Sequence, residues 1–137
     1  MSEETLIGIV EVPRLEAKLL LESAYFYIEM GKYKEAQDVF EGCVALLPRS
    51  DVPRIGLGNL FVAQGRFDLA ETQYREAIKI NEGSASAHAF LAESLLFQKK
   101  FPQATPSLDK AIALDPDGPA GQLARSLQQG HADGVFG

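Results

Sequence analysis

The chain contains little of what catalysis, metal binding or disulfide formation requires. Its 137 residues include one cysteine, Cys43, and two histidines, His88 and His131. A single thiol forms no internal disulfide and is typical of a protein from a reducing compartment. Two histidines leave too few partners for a metal site or a nucleophile–base pair. We therefore expect no catalytic residues, no metal, no cofactor and no enzymatic activity.

Positive charge is also scarce. The sequence has 13 Lys and Arg against 19 Asp and Glu, a net charge of −6, and its bases form no dense cluster. Binding to nucleic acid or to an anionic membrane needs a basic surface, so neither partner is expected. No apolar run approaches the ~20 residues of a membrane-spanning helix, and no secretion signal opens the sequence. These absences favour a soluble intracellular protein.

The chain is rich in hydrophobic residues, which make up 46% of the sequence, and these residues follow a repeated pattern. Ala36, Ala70 and Ala104 are spaced 34 residues apart. At one fixed distance before each alanine stands a small residue, and at another after it a ring or a long apolar side chain. These are Ala24, Gly58 and Ala92 before, and Phe40, Tyr74 and Leu108 after. A period of this length predicts one domain built of stacked helix pairs.

Apolar spacing places two helices in each unit. They are predicted over residues 14–30 and 33–47, over 51–64 with Ser50 as its cap and 67–80, and over 85–98 and from 101 onward. Gly31 and Gly65 are predicted to turn the chain, and Lys99 stands at the third turn. Pro106 lies inside the sixth helix, where we expect a kink or a late start. Gly56 has no role in the pattern and is either tolerated or makes room for a ligand.

The two ends of the chain fall outside the repeats. Residues 2–12 suit a short amphipathic helix, although Ile9, Val10 and Val12 also suit a strand. Leu123 and Leu127 allow a short helix that caps the last repeat. The predicted organisation is an N-terminal helix at 1–13, a repeat domain at 14–129 with repeats of about 17–50, 51–84 and 85–118 followed by the capping helix, and a disordered tail at 130–137.

The period and its small residues at the helix crossings resemble the tetratricopeptide repeat (TPR), over about residues 17–118. This resemblance implies an all-α fold of three tandem TPR helix hairpins in a right-handed superhelical array, with an N-terminal helix and a C-terminal capping helix. The tryptophan often found early in this repeat is absent. Leu20, Arg54 and His88 occupy its place.

A narrower resemblance lies within the repeats. It rests on residues 31–40, 55–60, 64–70 and 87–96, of which the last reads Ala-His-Ala-Phe-Leu-Ala-Glu-Ser-Leu-Leu. These stretches are similar to the three repeats of bacterial type III secretion chaperones that hold translocator proteins. The resemblance implies a small, acidic chaperone of the bacterial cytoplasm, and a homodimer through the N-terminal helix and repeat one.

In such an array the first helix of each pair lines the concave side. We predict that a peptide-binding groove is formed there by Leu21, Tyr25, Ile28, Val52, Ile55, Asn59, Val62, Ala89, Phe90, Glu93, Leu96 and Phe97. Most are apolar, with Asn59 and Glu93 as polar points, which favours an extended apolar peptide. The alternative is that these side chains only pack in the core or mediate self-association. A carboxylate-gripping clamp is disfavoured, because among its positions only Asn59 matches.

The leading hypothesis is therefore a non-enzymatic, protein-binding TPR module. It would hold an apolar segment of a secreted translocator-type partner as a cytosolic type III secretion chaperone. The alternative is a TPR scaffold or adaptor that joins subunits of a larger assembly through its convex side or terminal helices.

Overall fold

The computed structural model describes residues 5–6 and 12–137, with side chains from residue 14 onward. Within these residues it contains seven helices. They are α1 Arg14–Glu29, α2 Tyr33–Leu46, α3 Val52–Ala63, α4 Phe67–Ile80, α5 Ala85–Phe97, α6 Phe101–Leu114 and α7 Pro119–Ala132. The six repeat helices agree with the predicted ones to within one or two residues at each end. None of the described helices is long and apolar enough to cross a membrane.

The helices form three antiparallel hairpins, α1–α2, α3–α4 and α5–α6, and each hairpin packs against the next in chain order. The first helices also contact one another, α1 with α3 and α5 with α7. Close backbone contact of this kind is not repeated between the described helices α3 and α5. The second helix of the middle pair, α4, is therefore the main link between the two halves of the array.

The repeated residues form the core. The alanines at 36, 70 and 104 and the side chains of Phe40, Tyr74 and Leu108 are all buried. Because small residues occupy the helix crossings, the rings of one helix reach the backbone of its neighbour. The 34-residue pattern is confirmed as the packing pattern of the fold.

The turns inside the three hairpins share one geometry. Gly31 and Gly65 have φ of +74° and +72°, and Lys99 has φ of +62°. In each turn the next residue donates its N–H to a carbonyl five residues earlier, as from Lys100 to Leu95 at 2.9 Å. Lys99 thus adopts the left-handed conformation that glycine adopts at lower cost.

Local signals set the other helix boundaries. Ser84 caps α5 by accepting a hydrogen bond from Ala87 N at 3.2 Å, as its residue type favours. The predicted cap of α3, Ser50, is one residue early, because Asp51 is the N-cap and the helix begins at Val52. Ser50 Oγ instead accepts from Val52 N at 3.3 Å, and Pro53 lies in the first turn of the helix. Pro106 does not delay α6, which runs unbroken from Phe101.

Both chain ends differ from the prediction. Thr5–Leu6 and Val12–Pro13 pair as two short antiparallel strands, so the helix predicted over 1–13 is wrong at these residues. Threonine and valine are β-branched and favour extended backbone. The rest of that helix lies outside the described residues. The predicted disordered tail at 130–137 is also wrong: α7 continues to Ala132, and Phe136 packs edge-on against Phe97 at 5.2 Å.

Candidate peptide-binding groove

The predicted groove residues lie on α1, α3 and α5 and are mostly accessible. Half-buried side chains are Leu21, Tyr25 and Ile28 on α1, Ile55, Asn59 and Val62 on α3, and Phe90 and Glu93 on α5. Val52 is 46% exposed and Phe97 50% exposed. These ten side chains are what we call the groove from here on.

Two predicted groove residues are buried instead. Ala89 and Leu96 are 0% exposed, so neither side chain can touch a partner. The reason is that α5 has neighbours on three sides, since it packs against α4, α6 and α7. The capping helix therefore takes part of the surface that the repeat pattern assigns to the groove.

A chain of hydrogen bonds crosses the middle of the groove. Asn59 Nδ2 on α3 donates to the Tyr25 hydroxyl on α1 at 2.9 Å, and the Tyr74 hydroxyl on α4 donates to Asn59 Oδ1 at 2.6 Å. Asn59 is thereby fixed from both sides. Its second amide hydrogen and the Tyr25 hydroxyl proton have no acceptor among the described residues, so both remain available to a bound carbonyl oxygen.

Tyr74 is the site residue that the sequence pattern missed. It stands in the core position that Phe40 and Leu108 occupy in the other repeats, and it is fully buried. Its hydroxyl nevertheless reaches Asn59, and its ring lies 5.7 Å from the ring of Phe90. The signal was present, because a buried tyrosine at a position otherwise held by apolar side chains needs a hydrogen-bond partner.

The electrostatics of the groove are set by burial. Burial raises the pKa of Glu93. The pKa of Tyr74 is raised strongly, first by burial and then by the charge of Glu93. The pKa of Tyr25 is raised by burial, which outweighs its hydrogen bond with Asn59. Both hydroxyls therefore stay protonated, and Glu93 is the one acid among the ten groove side chains.

The groove ends at an aromatic cluster. The ring of Phe97 stacks on that of Phe67 at 4.6 Å with an interplanar angle of 11°, and Phe136 contacts its edge. Phe97 is still half exposed, so it closes this end of the groove without being covered by the cluster.

Gly56 and Gly58 lie behind the groove, and both are needed for packing. A Cβ at Gly56 would overlap the Phe40 ring, and one at Gly58 would overlap the Tyr74 ring. Gly56 therefore makes room for the core of repeat one rather than for a ligand.

Cavities elsewhere have a different origin. One of about 460 Å³ is lined by Ile78, His88 and Pro106 among others, and one of about 400 Å³ by Val44, Arg54 and others. Positions 54 and 88 are one repeat apart. The two clefts therefore lie at equivalent places in successive units.

The reactive side chains show no catalytic arrangement in the described part of the chain. Cys43 is 2% exposed, and burial raises its pKa, which disfavours the thiolate. His88 is half-buried with Nε2 3.0 Å from the Glu82 carbonyl oxygen. Residues 14–137 contain no group of three or more side chains placed to hold a metal ion.

Family models identify the repeats. Two models described as Tetratricopeptide repeat match residues 17–48 and 55–119, which together make up more than half of the chain. The chain belongs to the tetratricopeptide repeat family. Stacked repeats of this kind present extended concave surfaces for binding, so the TPR chain has the fold of a protein-binding module.

One curated relative is the human protein O-mannosyl-transferase TMTC1. It is 24% identical to the TPR chain over 119 residues, which are 87% of this chain and 13% of TMTC1. The chain thus spans a small part of the length of this relative. The transferase name belongs to the whole of TMTC1.

Solved structures share the fold. The first TPR of Spaghetti (RPAP3), bound to the HSP90 peptide SRMEEVD, has a TM-score of 0.75 at 23% identity, over 91% of this chain and 99% of its own. The Yersinia enterocolitica type III secretion translocator chaperone SycD has a TM-score of 0.73 at 24% identity, over 82% of this chain and 88% of its own. SycD in complex with a peptide of the translocator YopD has a TM-score of 0.70 at 22% identity, over 82% of this chain and 92% of its own. The likeness confirms the predicted array of TPR hairpins.

Proposed function

We propose that the groove holds an extended, largely apolar segment of a partner protein. The observation that carries this proposal is the row of half-buried apolar side chains on α1, α3 and α5 around Tyr25 and Asn59. Apolar side chains on either side of a few fixed polar groups suit a peptide in extended conformation, whose alternate side chains would pack among them. The free hydrogens of Asn59 and Tyr25 suit its backbone carbonyls.

The finer proposal is a chaperone of the type III secretion class, acting in the bacterial cytoplasm. Its support is the resemblance of residues 31–40, 55–60, 64–70 and 87–96 to such chaperones and the fold shared with SycD, which is solved with a translocator peptide. Such a chaperone would cover an apolar segment of its partner until export. The segment would otherwise aggregate or insert into a membrane.

The groove is tested by Val62→Asp, which places a charge among its apolar side chains. The matched control is Val39→Asp, since Val39 is a half-buried valine on α2, outside the groove. Both variants and the parent are used to capture proteins from the native host, and those captured are identified by mass spectrometry. We expect a partner with parent and control, and none with Val62→Asp, while circular dichroism shows unchanged helix content.

Direct contact is tested by a photo-crosslinking amino acid at position 62, with position 39 as control. We expect cross-links from position 62 into an apolar segment of the captured partner. Equal capture by Val62→Asp, or cross-links from position 39 alone, would assign binding to the convex side and contradict the proposal.

The alternative is an adaptor that joins subunits of an assembly, favoured by the fold shared with the RPAP3 domain bound to an HSP90 peptide. That peptide is acidic, whereas the charged side chain of this groove is Glu93. We therefore expect no saturable binding of the peptide SRMEEVD by calorimetry. Micromolar affinity for it would favour the adaptor over the chaperone.

Self-association is a further part of the proposal. The large apolar side chains Leu15, Leu19 and Phe26 on α1, and Met30 directly after it, are all exposed. The spacing of the three helical residues places them on one face of α1. A homodimer that uses repeat one would cover this face. Light scattering across a concentration series should then report twice the chain mass, and Phe26→Ser should shift the equilibrium to monomer. A parent protein that stays monomeric at a concentration on the order of 100 µM, well above the Kd of a micromolar dimer, argues against the dimer.

A further inference from the structure

One register of the repeat places three polar side chains in a row. Tyr25, Asn59 and Glu93 are each separated by 34 residues and lie on α1, α3 and α5. The hydrogen bond between Asn59 and Tyr25 shows that equal register brings these side chains together across neighbouring helices. Glu93 continues the row on the other side of the line where α3 and α5 lack close contact.

Only the first two members of the row are joined by hydrogen bonds among the described residues. Tyr25 and Asn59 are joined to each other and to Tyr74. Glu93 is half-buried, and its carboxylate has no hydrogen bond or ion pair with any described residue. A carboxylate partly withdrawn from water without a donor is unfavourable, and the usual relief is a cation held at hydrogen-bond distance.

Three bases near α5 are engaged elsewhere. Arg75 and Lys100 both bind Glu71, at 2.9 and 3.0 Å, and Lys79 pairs with Glu76 at 3.2 Å. The cation that would satisfy Glu93 is therefore not supplied by these side chains.

The surroundings of Glu93 suit a long basic side chain. Phe90 lies one helical turn before it on α5, and the Phe90 ring is 5.7 Å from that of Tyr74. Aromatic rings accept the methylene stem of lysine or the plane of a guanidinium while the charged end reaches the carboxylate. The charge of Glu93 and its apolar surroundings thus point to the same occupant.

We infer that Glu93 binds a lysine or arginine side chain of the partner segment, so that the groove selects an apolar sequence interrupted by one basic residue. This inference rests on the proposed peptide-binding function and adds to it the identity of one partner side chain. Glu93 is then a specificity-determining residue, with Asn59 and Tyr25 holding the adjacent backbone.

The first experiment is a selection from a random library of displayed 12-residue peptides, with the full chain as bait. Selections on the parent, on Glu93→Gln and on Glu35→Gln are compared. Glu35 is an exposed acid on α2, outside the groove, and its change removes the same charge. Parent and Glu35→Gln should enrich apolar peptides with lysine or arginine at one position, and Glu93→Gln should enrich apolar peptides without that preference.

The second experiment measures the pair directly. A synthetic peptide from the parent selection is compared with its Lys→Gln version by fluorescence anisotropy. The change should lower affinity for the parent and for Glu35→Gln about tenfold, which is typical of a partly desolvated charge pair. Against Glu93→Gln the loss should be less than about twofold, since the pairing is already absent.

The outcomes separate the two proposals. If the selected peptides lose binding with Val62→Asp but show no enrichment of lysine or arginine, the inference is overturned and the proposed groove stands. A basic preference that persists with Glu93→Gln assigns the cation to another acid and also overturns it. If no selected peptide depends on Val62, the proposed function fails and the inference fails with it.

Discussion

At the scale of single residues, the two glycines behind the groove leave no room for a larger side chain. A methyl group at Gly56 would meet the Phe40 ring, which is 0% exposed and has little room to move. Interiors packed to this density tolerate added volume poorly. The identity of position 56 is thus dictated by a ring on the neighbouring hairpin.

We expect Gly56→Ala to lower the free energy of unfolding by about 2 kcal/mol, within the range for overpacked cores. Gly42→Ala is the control, because Gly42 lies inside α2 and a Cβ there meets nothing within 4 Å. That change should instead raise the free energy of unfolding by about 0.5–1 kcal/mol. Urea denaturation measures both, and equal effects would mean that contact with Phe40 is unimportant.

Lys99 is the converse case, a side chain where glycine is preferred. Its φ of +62° matches the values at Gly31 and Gly65, so the backbone is strained there by the presence of Cβ. Lys99→Gly should raise the free energy of unfolding by about 0.5 kcal/mol, since relief of strain exceeds the added freedom of the unfolded chain. Gly65→Ala should lower it by about 1 kcal/mol. A loss of stability in Lys99→Gly would contradict this account.

At the scale of helices, Glu71 on α4 is the polar link to the third repeat. It accepts hydrogen bonds from Arg75, from Lys100 at the start of α6 and from Gln98 at the end of α5. Gln98 also donates to the Phe67 carbonyl at 3.2 Å, which joins the same two hairpins. This network therefore joins α4 to the turn between α5 and α6.

Glu71→Ala should cost about 1–2 kcal/mol, because three donors lose a partly buried acceptor. Glu76→Ala is the control, since Glu76 bonds only with the exposed Lys79 among the described residues; there the loss should be below about 0.5 kcal/mol. Thermal unfolding of both variants at pH 7 checks the difference, and similar losses would contradict a special role for Glu71.

The pH dependence of this link follows from its pKa. Burial opposes ionisation of Glu71, but the hydrogen bonds from Arg75, Lys100 and Gln98 outweigh it and lower the pKa. The stabilising effect is then fully present above the unfolded-state pKa, about 4.3, and is lost as pH falls through the lower folded-state pKa. The stability difference between the parent and Glu71→Ala should accordingly shrink as pH falls below about 4.

The repeat pattern predicted helices and turns well because both depend on neighbours in the same or the next unit. It failed where a non-repeated element intervenes. Ala89 and Leu96 are buried because α5 also packs against α7. The tail is ordered because the Phe136 ring packs against the Phe97 ring. The role of Tyr74 in the groove was missed because periodicity records only the size class of a residue, whereas a hydroxyl group carries the contact with Asn59.

At the scale of the molecule, α7 completes the array. It packs on α5 and α6 and buries Ala120, Ala124 and Leu127. Removal of residues 119–137 should lower the melting temperature by ~10 °C or more, because it exposes apolar surface of the last repeat. Removal of 133–137 alone should have a much smaller effect. Circular dichroism melts test both, and a stable chain ending at residue 118 would show that the cap is dispensable.

The second and third hairpins meet mainly through α4, which packs on both α3 and α5. Asn59 and Glu93 lie on these two neighbours of α4. An occupant that contacts both side chains would link the two hairpins a second time. Amide protons of α4 should then exchange more slowly with solvent, although α4 itself lies outside the row of side chains that the occupant touches.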